Sequence, residues 1–184
     1  MPTTAPKCDY FLDDQSIAFV YQLNYGETAR NTDIISKILG SDEVQQSGSS
    51  AFGALFPFPR EDSYPPSQWI LLTSPQLPIF FKIFNPPETA TGVEIADGLQ
   101  SVINNPGRNH QIVVIIANSD EGVLSAVGLA SQLKESSTII TLGYGTRADG
   151  GDIDLSSLAS SPHFTLTQSN EDPAQAVSLL LDAI

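Results

Sequence analysis

Neutral amides, rather than carboxylates, follow two apolar segments of this chain. Asn118 comes directly after the apolar run Gln111–Ala117, and Gln22 and Asn24 lie at the end of another, residues 17–23. In open sheets of parallel strands, ligands and ions bind at the carboxyl ends of the strands, so these are candidate site residues. Amide oxygens can hold a peptide or a weakly bound ion, whereas tight Mg²⁺ sites use carboxylates. The residue types therefore predict a site that is poorly equipped for metal chemistry.

Signals for catalysis are weak. Cys8 is the only cysteine, so it can form neither an internal disulfide nor a cysteine-based zinc cluster. His110 and His163 are far apart in the sequence, and each flanks a predicted strand, which favours structural roles. The Gly143-Tyr-Gly145 motif lacks the third glycine of a phosphate-binding loop and predicts a backbone role where a strand turns. These patterns disfavour an enzyme.

An acidic segment resembles a calcium loop in composition only. Asp149, Asp152 and Asp154 cluster with two glycines. They lack the complete Asp-x-Asp-x-Asp-Gly pattern and its distant glutamate. Helix capping accounts for them better, at a short helix predicted near residues 153–159.

Composition indicates one acidic globular domain. The chain has 184 residues, 41% of them hydrophobic and 16% charged, with 8 basic against 21 acidic residues and a net charge of −13. Such a charge opposes binding to nucleic acid and to anionic membranes. No apolar run reaches the roughly 20 residues that span a bilayer, and the first residues lack a signal-peptide core. Aromatic residues such as Trp69 and Phe80 are predicted to cover the core and the sheet edge, with a protein-binding patch as the alternative.

Strands and helices alternate along the chain. Apolar runs of strand type and segments of helical periodicity follow one another, with an antiparallel hairpin in the middle and aromatics at 41–66 covering the end of a sheet. The predicted strands are 17–23, 69–73, 79–84, 111–117, 138–142 and 163–166, and the predicted helices are 28–39, 91–103, 120–134, 153–159 and 173–182. This pattern predicts a doubly wound α/β fold, with helices on both faces of a mainly parallel sheet that has one antiparallel edge strand.

The order of these elements resembles a von Willebrand factor type A domain. The segment 112–119 is similar to the family's strand-Asp-Gly segment, and residues 139–145 are similar to its next strand, which often closes in Gly-x-Gly. Residues 89–93 resemble its Thr-x-Thr-Gly turn. The resemblance runs from residue 9 to residue 184, with residues 1–8 as a lead-in. It implies a single Rossmann-like domain.

The resemblance also implies the position of a metal-ion-dependent adhesion site, built from three loops. The family's ligand positions fall on five residues of this chain: Gln22, Asn24, Gly26, Thr89 and Asn118. Both of the usual carboxylates are thus amides, and a hydroxyl is lost at Gly26. A divalent ion would give up its hydration with little Coulomb gain, so we expect no tight metal site and no cofactor.

Four carboxylates could restore a metal site. Asp120 lies close to Asn118 in the sequence, as does Glu121, and Glu27 follows the first loop. Asp14 would enter the site if residues 11–16 formed the first strand, but residues 17–23 are much more strand-like. If a metal binds, Asp14 and Asp120 are therefore the predicted ligands.

The resemblance implies a non-enzymatic, protein-binding module of adhesion type, with a degenerate metal site, in a larger extracellular protein. The five residues of the adhesion-site positions would form the partner-binding face. One alternative is a structural or oligomerisation spacer, and another is a Rossmann-like enzyme or nucleotide binder that uses the same sheet edge. The sequence identifies neither the protein partner nor the oligomeric state.

Overall fold

The computed structural model describes residues 14–23, 28–46, 50–58, 64–82, 95–108, 110–169 and 172–184. The strands are β1 (Ser16–Gln22), β2 (Phe52–Phe58), β3 (Ile70–Leu71), β4 (Gln111–Ala117), β5 (Ser137–Tyr144) and β6 (Thr165–Gln168). The α-helices are α1 (Thr28–Leu39), α2 (Asp42–Gln45), α3 (Ile95–Asn104), α4 (Val123–Lys134) and α5 (Pro173–Ala183), and two 3-10 helices span Leu77–Lys82 and Pro162–Phe164.

The six strands form one sheet in the order β3-β2-β1-β4-β5-β6. β3 is an antiparallel edge strand, and the other neighbouring pairs are parallel. This arrangement confirms the predicted doubly wound fold. Because β1, β4 and β5 run in the same direction, their last residues, Gln22, Ala117 and Tyr144, lie at one edge of the sheet, here called the carboxyl edge.

The central strands are buried on both faces, which explains their nearly continuous apolar sequences. All seven residues of β1 and all seven of β4 are buried. Ile17, Phe19 and Tyr21 join a core that includes residues of α1 and α5. Ala18 and Val20 face the other way, into a core with residues of α3 and α4. The alternation of strand side chains thus divides one sheet between two apolar layers.

The predicted hairpin is wrong, and a central strand was missed. β2 lies within the stretch that the sequence assigns to loop, and it pairs with β1 along its full length. Gly53 and Pro57 concealed it, since both residue types are unfavourable in strands. β3 pairs with β2 only at Phe52 and Gly53, so Pro57 lies beyond this short pairing. Residues 77–82 form a 3-10 helix instead of a strand, and residues 83–84 lie outside the described part of the chain.

The helix predicted at 153–159 is also wrong. This segment has no regular secondary structure before a turn at residues 156–158, and it buries Ile153, Leu155 and Leu158 in the core on the α4 side. The tight approach of this segment to β5 explains Gly143, because a Cβ there would lie only 2.2 Å from the Ile153 carbonyl oxygen. Hydrophobic burial here outweighs helical periodicity.

Smaller differences concern the ends of elements. α4 begins at Val123 instead of residue 120, after Gly122 with a positive φ of 81°. β6 is Thr165–Gln168 instead of 163–166, because a 3-10 turn at Pro162–Phe164 comes first. The later start of α4 leaves Asp120 in the loop between β4 and α4.

Candidate functional site

The ends of β1 and β4 are joined by a side chain at the carboxyl edge. The Gln22 Oε1 atom accepts a hydrogen bond from the Asn118 backbone N–H at 2.8 Å. Gln22 is only 1% exposed, so this amide lies inside the edge of the sheet. The structure therefore brings together two residues that the sequence predicts for one site.

A third amide, Asn31 on α1, completes this arrangement. Its Nδ2 atom donates to the Gln22 backbone carbonyl and to Asn118 Oδ1, both at 2.8 Å. Asn31 has no solvent exposure. The side chains of Gln22, Asn31 and Asn118 are here called the amide network.

Asn31 was missed at the sequence level although a signal was present. It lies three, four and seven residues before Ile34, Ile35 and Ile38, which places it on the apolar face of α1. An asparagine on such a face needs buried hydrogen-bond partners. Its partners could not be identified from the sequence, because Asn118 is 87 residues away.

Backbone groups fix the orientation of the amides. Asn118 Nδ2 donates to the Tyr144 carbonyl at 3.2 Å, so its Oδ1 faces Asn31. Asn31 must then present Nδ2 to that oxygen and to the Gln22 carbonyl, since two facing oxygens would repel each other. The Asn31 Oδ1 atom consequently points away from these partners, and it is buried without a hydrogen-bond partner in the described structure.

The Gly143-Tyr-Gly145 motif has the backbone role that the sequence predicts. Gly145 adopts a positive φ of 98°, and its N–H donates to the Gln168 carbonyl at 2.8 Å. This bond joins the ends of β5 and β6, while the Tyr144 carbonyl between the two glycines accepts from Asn118. The motif shapes the edge and supplies an acceptor to the amide network.

The described polar groups of this edge are engaged with one another. The side-chain oxygens of Gln22 and Asn118 already accept N–H groups, and the Asn31 amino group lies between the ends of β1 and β4. No group of three His, Cys, Asp or Glu side chains suited to a metal occurs among the described residues. Asn24, Gly26 and Thr89 lie outside those residues, so their predicted places in the site stay predictions.

Asp14 lies at the opposite edge of the sheet from the amide network. β1 begins at Ser16, which confirms the preferred register, and of the described residues 14–16 only Ser16 belongs to a strand. The seven residues of β1 place Asp14 about 20 Å from the carboxyl edge at ~3.3 Å per residue. The Asp14 N–H donates to Ser50 Oγ. A shared ion with Asn118 is excluded by this distance.

Asp120 is engaged by a cation of the protein itself. Arg147 Nη1 lies 3.0 Å from Asp120 Oδ2, and the Asp154 N–H also donates to that oxygen. The hydrogen bond that Arg147 donates to Asp120, followed by the charge of Asp149, raises the pKa of Arg147. A metal at Asp120 would compete with Arg147 for the charge of this carboxylate.

The other aspartates of this loop bind backbone donors. The Gly151 N–H and then the Arg147 charge lower the pKa of Asp149. The Ser156 hydroxyl and N–H lower the pKa of Asp154. Asp154 Oδ1 accepts from the Ser156 N–H in a local turn, and no helix follows. The acidic segment is thus a turn fixed by its own hydrogen bonds, and the prediction that it caps a helix is wrong.

Comparison with known proteins identifies the fold. No family profile matches the chain, and no curated protein matches it by sequence. Proximal thread matrix protein 1 from the mussel byssus, solved with a zinc-occupied MIDAS motif, aligns with a TM-score of 0.65 at 18% identity, over 95% of this chain and 47% of that chain. The pilus adhesin SpaC from Lactobacillus rhamnosus GG gives a TM-score of 0.67 at 12% identity, over 94% and 30%. The chain has a von Willebrand factor type A-like fold and spans less than half of either protein.

Proposed function

We propose that this domain is a non-enzymatic, protein-binding module of adhesion type, which uses its carboxyl edge without a bridging metal ion. The amide network carries the proposal. Hydrogen bonds among Gln22, Asn31 and Asn118 join the ends of β1 and β4, where the family resemblance places metal ligands. The edge is consequently preorganised by neutral groups.

The similar structures support the adhesion class and an extracellular setting. One is a thread matrix protein of the mussel byssus, and the other is a pilus adhesin. The domain would belong to a larger extracellular protein, as a module comparable in length to part of either neighbour. No helix in the described part of the chain has the length and apolarity to cross a membrane.

The chemistry of the described edge supports a binding role over catalysis. Nucleophilic catalysis needs a nucleophile hydrogen-bonded to a base that a third group orients. The described edge instead presents amides bonded to backbone groups and an aspartate paired with Arg147. Such an arrangement favours a recognition surface over the activation of a nucleophile.

A titration with divalent ions tests the metal-free edge. Isothermal calorimetry with Mg²⁺, Mn²⁺, Ca²⁺ and Zn²⁺ is expected to show no saturable binding in the micromolar range. The physical reason is that neutral oxygens, which already accept N–H groups, offset little of the free energy needed to remove water from the ion. Saturation at one ion per chain would contradict the proposal, and loss of that binding in Asp120→Ala would identify the recruited carboxylate.

An adhesion assay tests the binding role. Leu124, at the start of α4 next to the β4–α4 loop, is 89% exposed and can serve as an apolar contact for a partner. In this assay, extracellular matrix and cell-surface proteins are immobilised, and the domain is added together with EDTA. We expect the domain to bind at least one of these proteins although EDTA removes divalent ions. Leu124→Gln should weaken this binding about tenfold, because burying a leucine side chain contributes about 1.5–3 kcal/mol.

Ile79→Gln is the matched control for this assay. Ile79 is also an exposed apolar residue, at 54%, but it lies in the 3-10 helix after β3. Binding should therefore be unchanged in this variant. Equal losses in the two variants would contradict recognition at the carboxyl edge, and binding abolished by EDTA would contradict the metal-free mechanism.

A spacer or oligomerisation unit is the second candidate function, and one observation favours it. The amide network is largely self-satisfied, which is also what a purely structural edge requires. In that case no partner would bind in the adhesion assay. Analytical ultracentrifugation would then distinguish a monomeric spacer from an assembly unit.

A further inference from the structure

A small cavity lies at the edge of the sheet opposite the amide network, here called the amino edge. It has a volume of about 50 Å³ and is lined by Ser16, Phe52, Trp69 and Arg108. Ser16 and Phe52 are the first residues of β1 and β2. A water molecule needs about 10–15 Å³ of such space, so the cavity accommodates only a few heavy atoms. A ligand here would therefore be a small group carried by a larger molecule.

The walls of the cavity are held by well-defined contacts. Ser16 Oγ donates to the Arg108 carbonyl at 2.7 Å and accepts from the Arg108 N–H at 3.0 Å. Gly107 packs so closely that a Cβ would lie 2.5 Å from Ser16 Cβ and 2.9 Å from Trp69 Cη2. The Trp69 indole N–H donates to the Asn105 carbonyl at 3.1 Å, which fixes the ring. The backbone that carries Arg108 is thus fixed against β1 and Trp69.

The Arg108 side chain is available to a ligand. Its guanidinium carbon lies 5.7 Å from the centre of the Phe52 ring, in a cation–π contact. Arg108 is exposed, and within the described structure its side chain forms no ion pair. Arg147, by contrast, pairs with Asp120 and Asp149. A guanidinium without an acidic partner among the described residues is notable in a chain with a net charge of −13.

We propose that the amino edge binds a carboxylate of a partner, namely the C-terminal carboxylate of a chain that ends in a small apolar residue. The planar guanidinium would donate two parallel hydrogen bonds to the carboxylate. Phe52 and Trp69 would contact the small side chain, and the limited volume excludes a large one. This site is independent of the amide network, since β1 separates the two edges by about 20 Å at ~3.3 Å per residue.

The single tryptophan allows a direct test on the intact chain. Trp69 is the only tryptophan, so its fluorescence reports on the cavity wall alone. Titration with N-acetyl-L-alanine is expected to give a saturable change with a millimolar Kd, because a bidentate guanidinium–carboxylate pair and a small apolar contact together provide weak binding. N-acetyl-L-alanine methylamide, which lacks the charge, should give no saturable change. N-acetyl-L-leucine, which has the charge but a side chain too large for the cavity, should bind more weakly than the alanine compound.

Two variants complete the test. Arg108→Gln should weaken binding of N-acetyl-L-alanine at least about tenfold, since the ion pair is lost, while Arg147→Gln should bind as the native chain does. Circular dichroism confirms that each variant is folded. Equal responses to the acid and its methylamide, equal binding in Arg108→Gln, or no saturation with the acid would each overturn the proposal. Equal or tighter binding of the leucine compound would overturn the selection for a small side chain.

Discussion

Replacing Asn31 with leucine is expected to lower the free energy of unfolding by about 2–6 kcal/mol, because two acceptors lose a donor at about 1–3 kcal/mol each. Leucine has nearly the shape of asparagine but cannot donate to the Gln22 carbonyl or to Asn118 Oδ1. Asn31 is fully buried, so water cannot replace the lost donor without a rearrangement of the edge. Urea denaturation followed by circular dichroism measures the change through the midpoint at a constant m-value.

A matched control separates this effect from a general intolerance of leucine. Asn104, at the end of α3, is an exposed helical asparagine. Asn104→Leu is expected to change stability by less than about 0.5 kcal/mol, as surface substitutions commonly do. If Asn31→Leu were as stable as Asn104→Leu, the amide network would not hold the carboxyl edge together.

The sequence predicts those parts of the fold in which local pattern and tertiary burial agree. β4 is predicted with its observed bounds because its seven residues form an apolar run that is buried on both faces. α1 is likewise predicted correctly from the spacing of its isoleucines. β2 was missed because Gly53 and Pro57 oppose strand formation locally, whereas pairing with β1 stabilises the strand. The register of long-range pairing cannot be read from local residues.

The same distinction applies to the candidate site. Gln22 and Asn118 could be predicted, because both follow from the ends of recognisable strands. The bond between them, and the donor role of Asn31, depend on contacts that span 96 and 87 residues. Asp120 was predicted as a possible metal ligand, yet its partner Arg147 belongs to another loop 27 residues later. Sequence proximity thus identified the groups but not their partners.

The amide network explains how the edge of this fold can be held without an ion. A bound metal ion holds loops together through its charge, and this link is lost when the ion is removed. Here Asn31 makes an equivalent bridge with one amino group, which donates to both β1 and the residue after β4. Neutral hydrogen bonds depend little on ionic strength, whereas charged contacts are screened by salt. The geometry of the edge should therefore not vary with divalent ions.

Asn118→Asp removes the donor that the Asn118 side chain offers to the Tyr144 carbonyl, so the substitution should make stability depend on pH. The substitution replaces Nδ2, which donates to the Tyr144 carbonyl at 3.2 Å, with a carboxylate oxygen. An ionised carboxylate against a carbonyl oxygen is unfavourable, so the folded state should raise the pKa of the introduced carboxyl group above the ordinary aspartate value of about 3.9. At low pH the protonated acid can donate to Tyr144 as the amide does.

The sign of the pH effect follows from this raised pKa. Below about pH 3.9 the introduced carboxyl group is protonated in both states, and the variant should be nearly as stable as the native chain. As the pH rises through the folded-state pKa, ionisation favours unfolding, and the variant loses about 1.4 kcal/mol for each unit of pKa difference. Urea denaturation of both proteins from about pH 3.5 to about pH 7.5, a range that brackets this ionisation, measures the difference in unfolding free energy. Asn104→Asp, at an exposed position, should show little of this trend. If the difference in unfolding free energy between the variant and the native chain were the same at both ends of the pH range, Tyr144 would not be the acceptor that fixes Asn118. A difference that grows with pH would establish why an amide, and not a carboxylate, follows β4.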